Sequence, residues 1–223
     1  MNGKKYAENI SQLALANVDF DMQNRHHISY NLMMIHANTQ SVGDYNGKNS
    51  IFSDDYENLG FTRRQQTNDN MLIVNQLMTN WGLTKSLSLD AGASYNMVKG
   101  YEPDRRINNL TKAEDGYTLL RGNSQQRYFS TLDEDDLNVK AGLVYRLKDN
   151  IEEISNVRFG YTGRFVDDNF KATEYNLTVG HVSAIPSLDD FSLDDYYNQE
   201  NFASDWFKIC LLYTSPSPRD RSV

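Results

Sequence analysis

Over most of its length this chain alternates apolar and polar side chains one by one. From Leu87 to Met97 the odd positions are Leu87, Leu89, Ala91, Ala93, Tyr95 and Met97, and the even ones are Ser88, Asp90, Gly92, Ser94 and Asn96. From Leu137 to Leu147 the odd set is Leu137, Val139, Ala141, Leu143, Tyr145 and Leu147, interleaved with Asn138, Lys140, Gly142, Val144 and Arg146. Val157, Phe159, Tyr161, Gly163 and Phe165 alternate with Arg158, Gly160, Thr162 and Arg164, and Ile28, Tyr30, Leu32 and Met34 with His27, Ser29, Asn31 and Met33. Successive side chains of a strand point to opposite faces, so a period of two means a strand with unlike faces. A helix would bring apolar residues back at i+3 and i+4, and here they do not return at that spacing.

The pattern predicts six strands, over residues 10–22, 26–38, 66–81, 85–99, 125–147 and 156–180. Each exceeds the usual strand of about 5–6 residues. Asn70 to Trp81 is apolar on both faces, so alternation leaves the phase of strand 66–81 open. Short connections, Gln23 to Arg25, Gly82 to Thr84 and Lys148 to Ser155, alternate with long polar stretches at 39–65, at 100–124 and after 180. A soluble sandwich has no reason to place every long loop at one end. A membrane barrel has one, because its turns are short on one side and its loops long on the other. About 10 residues at about 3.3 Å each, tilted about 45°, cross roughly 23 Å, close to the apolar band of about 25 Å around such barrels. Phe20, Trp81, Tyr145, Phe159 and Tyr161 lie near the short turns, where amphipathic rings favour the membrane boundary.

Composition removes other classes. Lys plus Arg is 22 against 30 for Asp plus Glu, a net charge of −8, which argues against a nucleic-acid surface. Aromatics at 12% argue against disorder. No run approaches the ~20 apolar residues of a membrane helix, and no basic and apolar leader is visible. A single cysteine, Cys210, excludes an internal disulfide and sites built on several thiolates. From Cys210 to Val223 the text changes to CLLYTSPSPRDRSV, with two of the four prolines close together. This tail resembles the translated read-through of a sequencing adapter, so the chain divides into 1–209 and a non-native segment, 210–223.

No constellation for catalysis is present: no Ser/His/Asp grouping, GxGxxG, P-loop or HExxH occurs, so an enzyme is not expected. His26 and His27 fall on opposite faces of one strand and cannot chelate together. The acidic runs at Asp54-Asp55, Asp133 to Asp136, Asp189-Asp190 and Asp194-Asp195 lack calcium-loop spacing and are expected in solvated loops. Asp54, Asp55 and Tyr56, with Asp194, Asp195, Tyr196 and Tyr197, are candidate ligand contacts in external loops. On the polar face, Asp19, Asp21, Asp90, Lys140, Arg146, Arg158 and Arg164 are candidates to line a wet lumen. No cofactor and no metal site are expected.

Six strands cannot close a membrane barrel, since single-chain barrels begin at roughly eight, and an open edge leaves backbone groups unpaired in lipid. The stretches NISQLALANVDF (9–20), HHISYNLMMIHANTQSVGDYNG (26–47) and VRFGYTGRFVDDNFKATEYNL (157–177) resemble the barrel of TonB-dependent outer-membrane receptors of the kind abundant in Bacteroidetes. The resemblance covers most of 1–209. It implies an all-β fold: an antiparallel up-and-down meander of about six long strands, an open curved segment of a plugged barrel of about 22 strands. It further implies import of a scarce nutrient such as an iron chelate, cobalamin or an oligosaccharide, in the outer membrane of a Gram-negative bacterium. The implied partners are the inner-membrane TonB complex through a plug, outer-membrane lipid, the nutrient and a surface lipoprotein. Two other readings stay open: a non-plugged porin and a soluble all-β carbohydrate-binding module.

Overall fold

The computed structural model describes residues 2–22, 25–48, 59–114, 116–120, 122–150, 153–180 and 193–216. Their strands form one open antiparallel sheet. β1 (Asn2–Met22), β2 (His26–Lys48), β3 (Leu59–Gly82), β4 (Leu87–Ala113), β6 (Gly122–Asn150), β7 (Glu153–Val179) and β8 (Phe207–Pro216) lie in that order, and the short β5 (Gly116–Leu119) pairs with β4 beyond the point where β4 leaves β6. Each long strand pairs with its sequence neighbours, as in an up-and-down meander. Two short helices, α1 (Leu193–Tyr196) and α2 (Gln199–Ala203), precede β8. Asn198 caps α2, its Oδ1 accepting from the Asn201 amide at 2.8 Å.

All six expected strands are present, and each runs longer than alternation predicts. Much of 39–65 and 100–124, expected as loops, is strand, and the Lys148 to Ser155 connection is the tip of the β6–β7 hairpin. The reason is physical: backbone pairing needs no apolar side chain, so where both faces are wet the ladder continues while the pattern vanishes. For the same reason the run Asp133 to Asp136 is mid-strand, dealt alternately to the two faces, and not in a loop. β8 takes in Cys210 to Pro216, the first part of the segment that composition sets apart.

The register settles the phase of β3. Trp81, Leu77 and Ile73 stand opposite Leu89, Ala93 and Met97 of β4, and opposite His26, Tyr30 and Met34 of β2. One face of the sheet therefore carries Phe20, Val18, Ile28, Leu32, Leu77, Leu89, Leu143 and Phe159 in adjoining rows. No second layer covers this face among the described residues; Phe159 is 81% exposed and Leu143 42%. Leu87 to Met97 extend about 33 Å along the strand.

The turns at the hairpin end are tight. Leu83 and Thr84 donate their amides to Leu87 O, and Thr84 Oγ1 accepts from the Leu87 amide at 3.0 Å. The Gly82 amide donates to Arg25 O at 2.8 Å, tying neighbouring turns together.

The buried core lies at the opposite end. Phe61, Leu110, Leu119, Leu177, Val179, Tyr196 and Phe207 pack together, with Tyr117, Tyr197 and Trp206 against them. Full burial of such a side chain contributes about 1.5–3 kcal/mol, so this end holds most of the apolar packing; toward the hairpin turns Val144 is the one buried apolar side chain among the described residues. β4 and β6 part beyond Ile107 and Gln126 to admit β5. The fully buried Gln125 fills the fork: its Oε1 accepts from the Asn109 amide at 2.9 Å, and its Nε2 donates to Asn109 O at 2.7 Å and Leu120 O at 3.2 Å. A side-chain amide thus replaces the missing ladder partner.

Candidate functional site

The face opposite the apolar band is a polar grid. Asn17, Asn31, Gln76, Ser94, Asn138 and Arg164 stand in register across six strands. One row nearer the turns come Asp19, Ser29, Met78, Gly92, Lys140 and Thr162, and then Asp21, His27, Asn80, Asp90, Gly142 and Gly160. Period-two geometry produces such rows wherever neighbouring strands keep phase.

The lumen candidates Asp19, Asp21, Asp90, Lys140, Arg158 and Arg164 all fall on this face, and the register joins most of them into bonded groups. Arg164 donates from Nε and Nη2 to the two oxygens of Asp136, both at 3.1 Å, and Asn138 adds a third donor at 3.1 Å. Asp90 accepts from Asn80 and lies 3.8 Å from Arg158 Nη2. At the β1 side, His27 sits between two carboxylates, its Nδ1 2.8 Å from Asp21 and its Nε2 3.5 Å from Asp19. Lys140 has no ion-pair partner among the described residues, and its stem lies over Gly92. Arg146 stands beyond these rows, beside Asn80, Ser86 and Ser88 near the turns.

Two adjoining hollows, about 520 and 320 Å³, share Met78, Lys140 and Thr162. Gly92, Gly142 and Gly160 line them, so the polar face is deepest where side chains are smallest. At Gly160 the absence of a side chain is required, because a Cβ would lie 2.7 Å from Ala141 O.

The sequence reading missed a second feature. Leu13, Leu15, Met33, Ile35, Val74 and Leu72 form two adjoining apolar rows on the polar face of β1, β2 and β3. They explain why alternation fails at Asn70 to Trp81: there both faces of β3 are apolar. Only the register reveals them as one patch.

Beyond the band, the apolar face turns ionic. His36 Nε2 and Asn38 Nδ2 meet Asp69 at 2.8 and 3.0 Å, and those bonds, the Asn38 one foremost, hold the Asp69 carboxyl below its ordinary range. Farther along, Arg63 Nε donates to Asp44 at 2.8 Å. Asp104 accepts from Arg106 Nε at 2.5 Å and from Arg127 Nε and Nη2 at 3.1 and 2.5 Å. Burial alone would raise the Asp104 carboxyl, but the Arg127 and Arg106 bonds overcome it and hold it below the usual value.

Of the loop candidates, Asp54, Asp55 and Tyr56 lie outside the described residues, as do His181, Asp189 and Asp190. Asp194 lies on α1 and Asp195 is exposed. Tyr196 is a core residue, its hydroxyl donating to Trp206 O at 3.1 Å, and Tyr197 packs edge-on against it and against Phe207. Burial raises the pKa of both hydroxyls. Their rings are engaged in packing and are not the open contacts that composition suggests. His26 and His27 do fall on opposite faces, His26 against the Trp81 ring and His27 against Asp21. No group of three or more metal-ligating side chains occurs among the described residues. No family model matches the chain, and no curated protein matches it.

Proposed function

We propose that the chain is part of the wall of a plugged outer-membrane barrel, a TonB-dependent receptor that imports a scarce nutrient into a Gram-negative bacterium. The observation that carries this reading is the uncovered apolar band on one face of a single open sheet, backed by a polar grid. In water such a face destabilises a protein and invites aggregation. In a bilayer it is the solvated side, and a band of about 23 Å suits it. Its rims fit: Trp81, Tyr145 and Phe20 lie toward the short turns, and Tyr95 and Phe165 lie near the other edge. The unpaired edge of β1, and of β7 on the turn side of Lys171, calls for further strands, because lipid satisfies no N–H or C=O.

The apolar patch Leu13, Leu15, Met33, Ile35, Leu72 and Val74 favours a plugged lumen over a water-filled porin. A water channel gains nothing from leucines on its inner wall, whereas a folded plug would bury them. The paired carboxylates and guanidiniums beside it suit the same occupant. Through the plug the receptor would meet the inner-membrane TonB complex, and its long outer strands would meet the nutrient and a surface lipoprotein. An enzymatic role is not part of this reading.

Single-cysteine labelling tests the proposal. With Cys210 replaced by serine, so that its exposed thiol does not react, and the protein in lipid vesicles, a cysteine at Leu143 should react with a bilayer-soluble maleimide and resist a water-soluble one, and a cysteine at Thr162 should do the reverse. Equal reaction of both with the water-soluble reagent would dismiss the membrane reading.

A further inference from the structure

The short-turn end of the polar face gathers positive charge. Arg25 lies in the turn between β1 and β2, Lys85 in the turn between β3 and β4, and Arg146 near the end of β6. With Thr84, Ser86 and Ser88, among others, they line one hollow of about 180 Å³. Backbone bonds tie the three segments together. The Gly82 amide donates to Arg25 O and the Arg146 amide to Ser86 O, both at 2.8 Å. Thr84 Oγ1 accepts from the amides of Ser86 and Leu87 at 3.3 and 3.0 Å, which closes the turn around Lys85. A Cβ at Gly82 would lie 3.1 Å from Arg25 O, and its absence lets the two turns approach.

These three charges are not neutralised. No carboxylate lines the hollow, and neither Arg25, Lys85 nor Arg146 makes an ion pair among the described residues. Elsewhere on this face the guanidiniums are paired: Arg158 lies 3.8 Å from Asp90, and Arg164 bonds both oxygens of Asp136. Asp90, two residues from Ser88 along β4, also accepts from Asn80. The chain holds 30 acidic residues against 22 basic ones, so three unpaired cations around one hollow depart from its overall charge. Like charges held together repel, and an anion between them relieves the repulsion.

Size and donors select the anion. The hollow is smaller than the roughly 300 Å³ at which pockets for drug-sized ligands begin, which favours a small ion. Among the described residues no hydrogen bond engages the hydroxyls of Ser86 and Ser88, so they add neutral donors. A single carboxylate would answer one of three charges. A phosphoryl group brings about −1.5 to −2 at pH 7 and three acceptor oxygens, and an arginine fork bonds such oxygens in pairs. Asn80, Ser88 and Arg146 continue the polar face, so the hollow lies away from the apolar band and suits a dissolved phosphate better than a membrane headgroup. We propose that the turn pocket binds the phosphoryl group of a soluble phosphate or phosphate ester. The inference stands on the turn geometry and does not need the membrane reading.

The test titrates the full chain, in non-ionic detergent at low salt, with pyrophosphate and reads binding by calorimetry. The expected result is saturable binding, weakened about tenfold by Lys85→Gln and by Arg146→Gln, the worth of one charged hydrogen bond. Arg146→Lys, which keeps the charge, should bind better than Arg146→Gln. Lys5→Gln, which removes the same charge near the far end of β1, should bind as the parent does. Circular dichroism checks that each variant keeps its sheet. Absence of saturable binding, or an equal loss in Lys5→Gln, would overturn the site. Stronger competition by phosphatidylglycerol micelles than by free phosphate would give the pocket to a headgroup and overturn the soluble ligand. Displacement by hexaglutamate at lower concentration than by phosphate would overturn the phosphoryl assignment.

Discussion

The hydroxyl of Tyr95 on β4 donates to the carboxylate of Asp135 on β6 at 2.7 Å, and this pair marks where the apolar face changes character. On its turn side the face holds Leu137, Val139, Ala141 and Leu143. On its other side come Asp133 and Lys99, 3.9 Å apart. On the membrane reading proposed above, Tyr95 would turn its ring to hydrocarbon and its hydroxyl to a charge, as rim tyrosines do.

Facing can be tested within one strand. Leu89 stands opposite Leu143 on the apolar side, and its neighbour Ser88 points the other way. Ala93→Arg, midway between the rows of Trp81 and Tyr95, should cost about 2–4 kcal/mol near mid-bilayer, Leu89→Arg at the turn-side rim about 1 kcal/mol or less, and Ser88→Arg less than Ala93→Arg. A refolding titration into lipid vesicles measures all three, and equal losses would refute the assignment.

Gln125 makes a sharper local prediction. Gln125→Leu keeps the volume and takes the Oε1 acceptor from the Asn109 amide, while Asn109 O keeps the Leu120 amide, at a cost of about 1–3 kcal/mol. Hydrogen exchange should quicken at Asn109 and Leu120 and stay unchanged at the turns. Unaltered exchange at Asn109 would show that the fork does not depend on the side chain.

The outer end should be acid-sensitive through Asp104. Its carboxyl is depressed in the fold, so its contribution to stability is complete above the ordinary carboxylate pKa of about 3.9 and fades as pH falls through the lower folded value. Asp104→Asn should remove that dependence. Proteolysis of the β4–β6 region across pH 2–5 (roughly the carboxylate range) would follow it, and identical profiles for both proteins would contradict the pairing with Arg106 and Arg127.

Glycine tolerance should differ between neighbours. A methyl at Gly142 would meet only ordinary contacts, the nearest at 3.7 Å, whereas one at Gly160 meets backbone at 2.7 Å. Gly160→Ala should therefore destabilise by about 1–3 kcal/mol and Gly142→Ala hardly at all. Denaturant midpoints in detergent would tell them apart.

Tyr196 separates packing from ligand contact. Tyr196→Phe loses one hydrogen bond, about 1 kcal/mol, and Tyr196→Ala empties a core position at about 3–5 kcal/mol. Protease nicking near α2 should rise strongly for alanine and slightly for phenylalanine. Equal stability of the two variants would return Tyr196 to the role of an open ligand contact.

Alternation by itself determined the strand class, six of the strands and the facing of β4, β6 and β7, because a side chain's face depends only on its parity along the chain. Other features waited for the tertiary structure. Parity cannot say which residue of a neighbouring strand stands opposite, so the bonded groups of Arg164 with Asp136 and His27 with Asp21 appear only with the register. Nor can it distinguish a loop from a strand that is wet on both sides, which hid the outer parts of β1 to β4. The phase of β3 and the apolar patch behind it have one cause, apolar residues on both faces of one strand, and only pairing with β2 and β4 divides them between the two faces of the sheet. The core at Leu110, Tyr196 and Phe207 joins segments far apart in sequence, and no local pattern encodes a contact of that range.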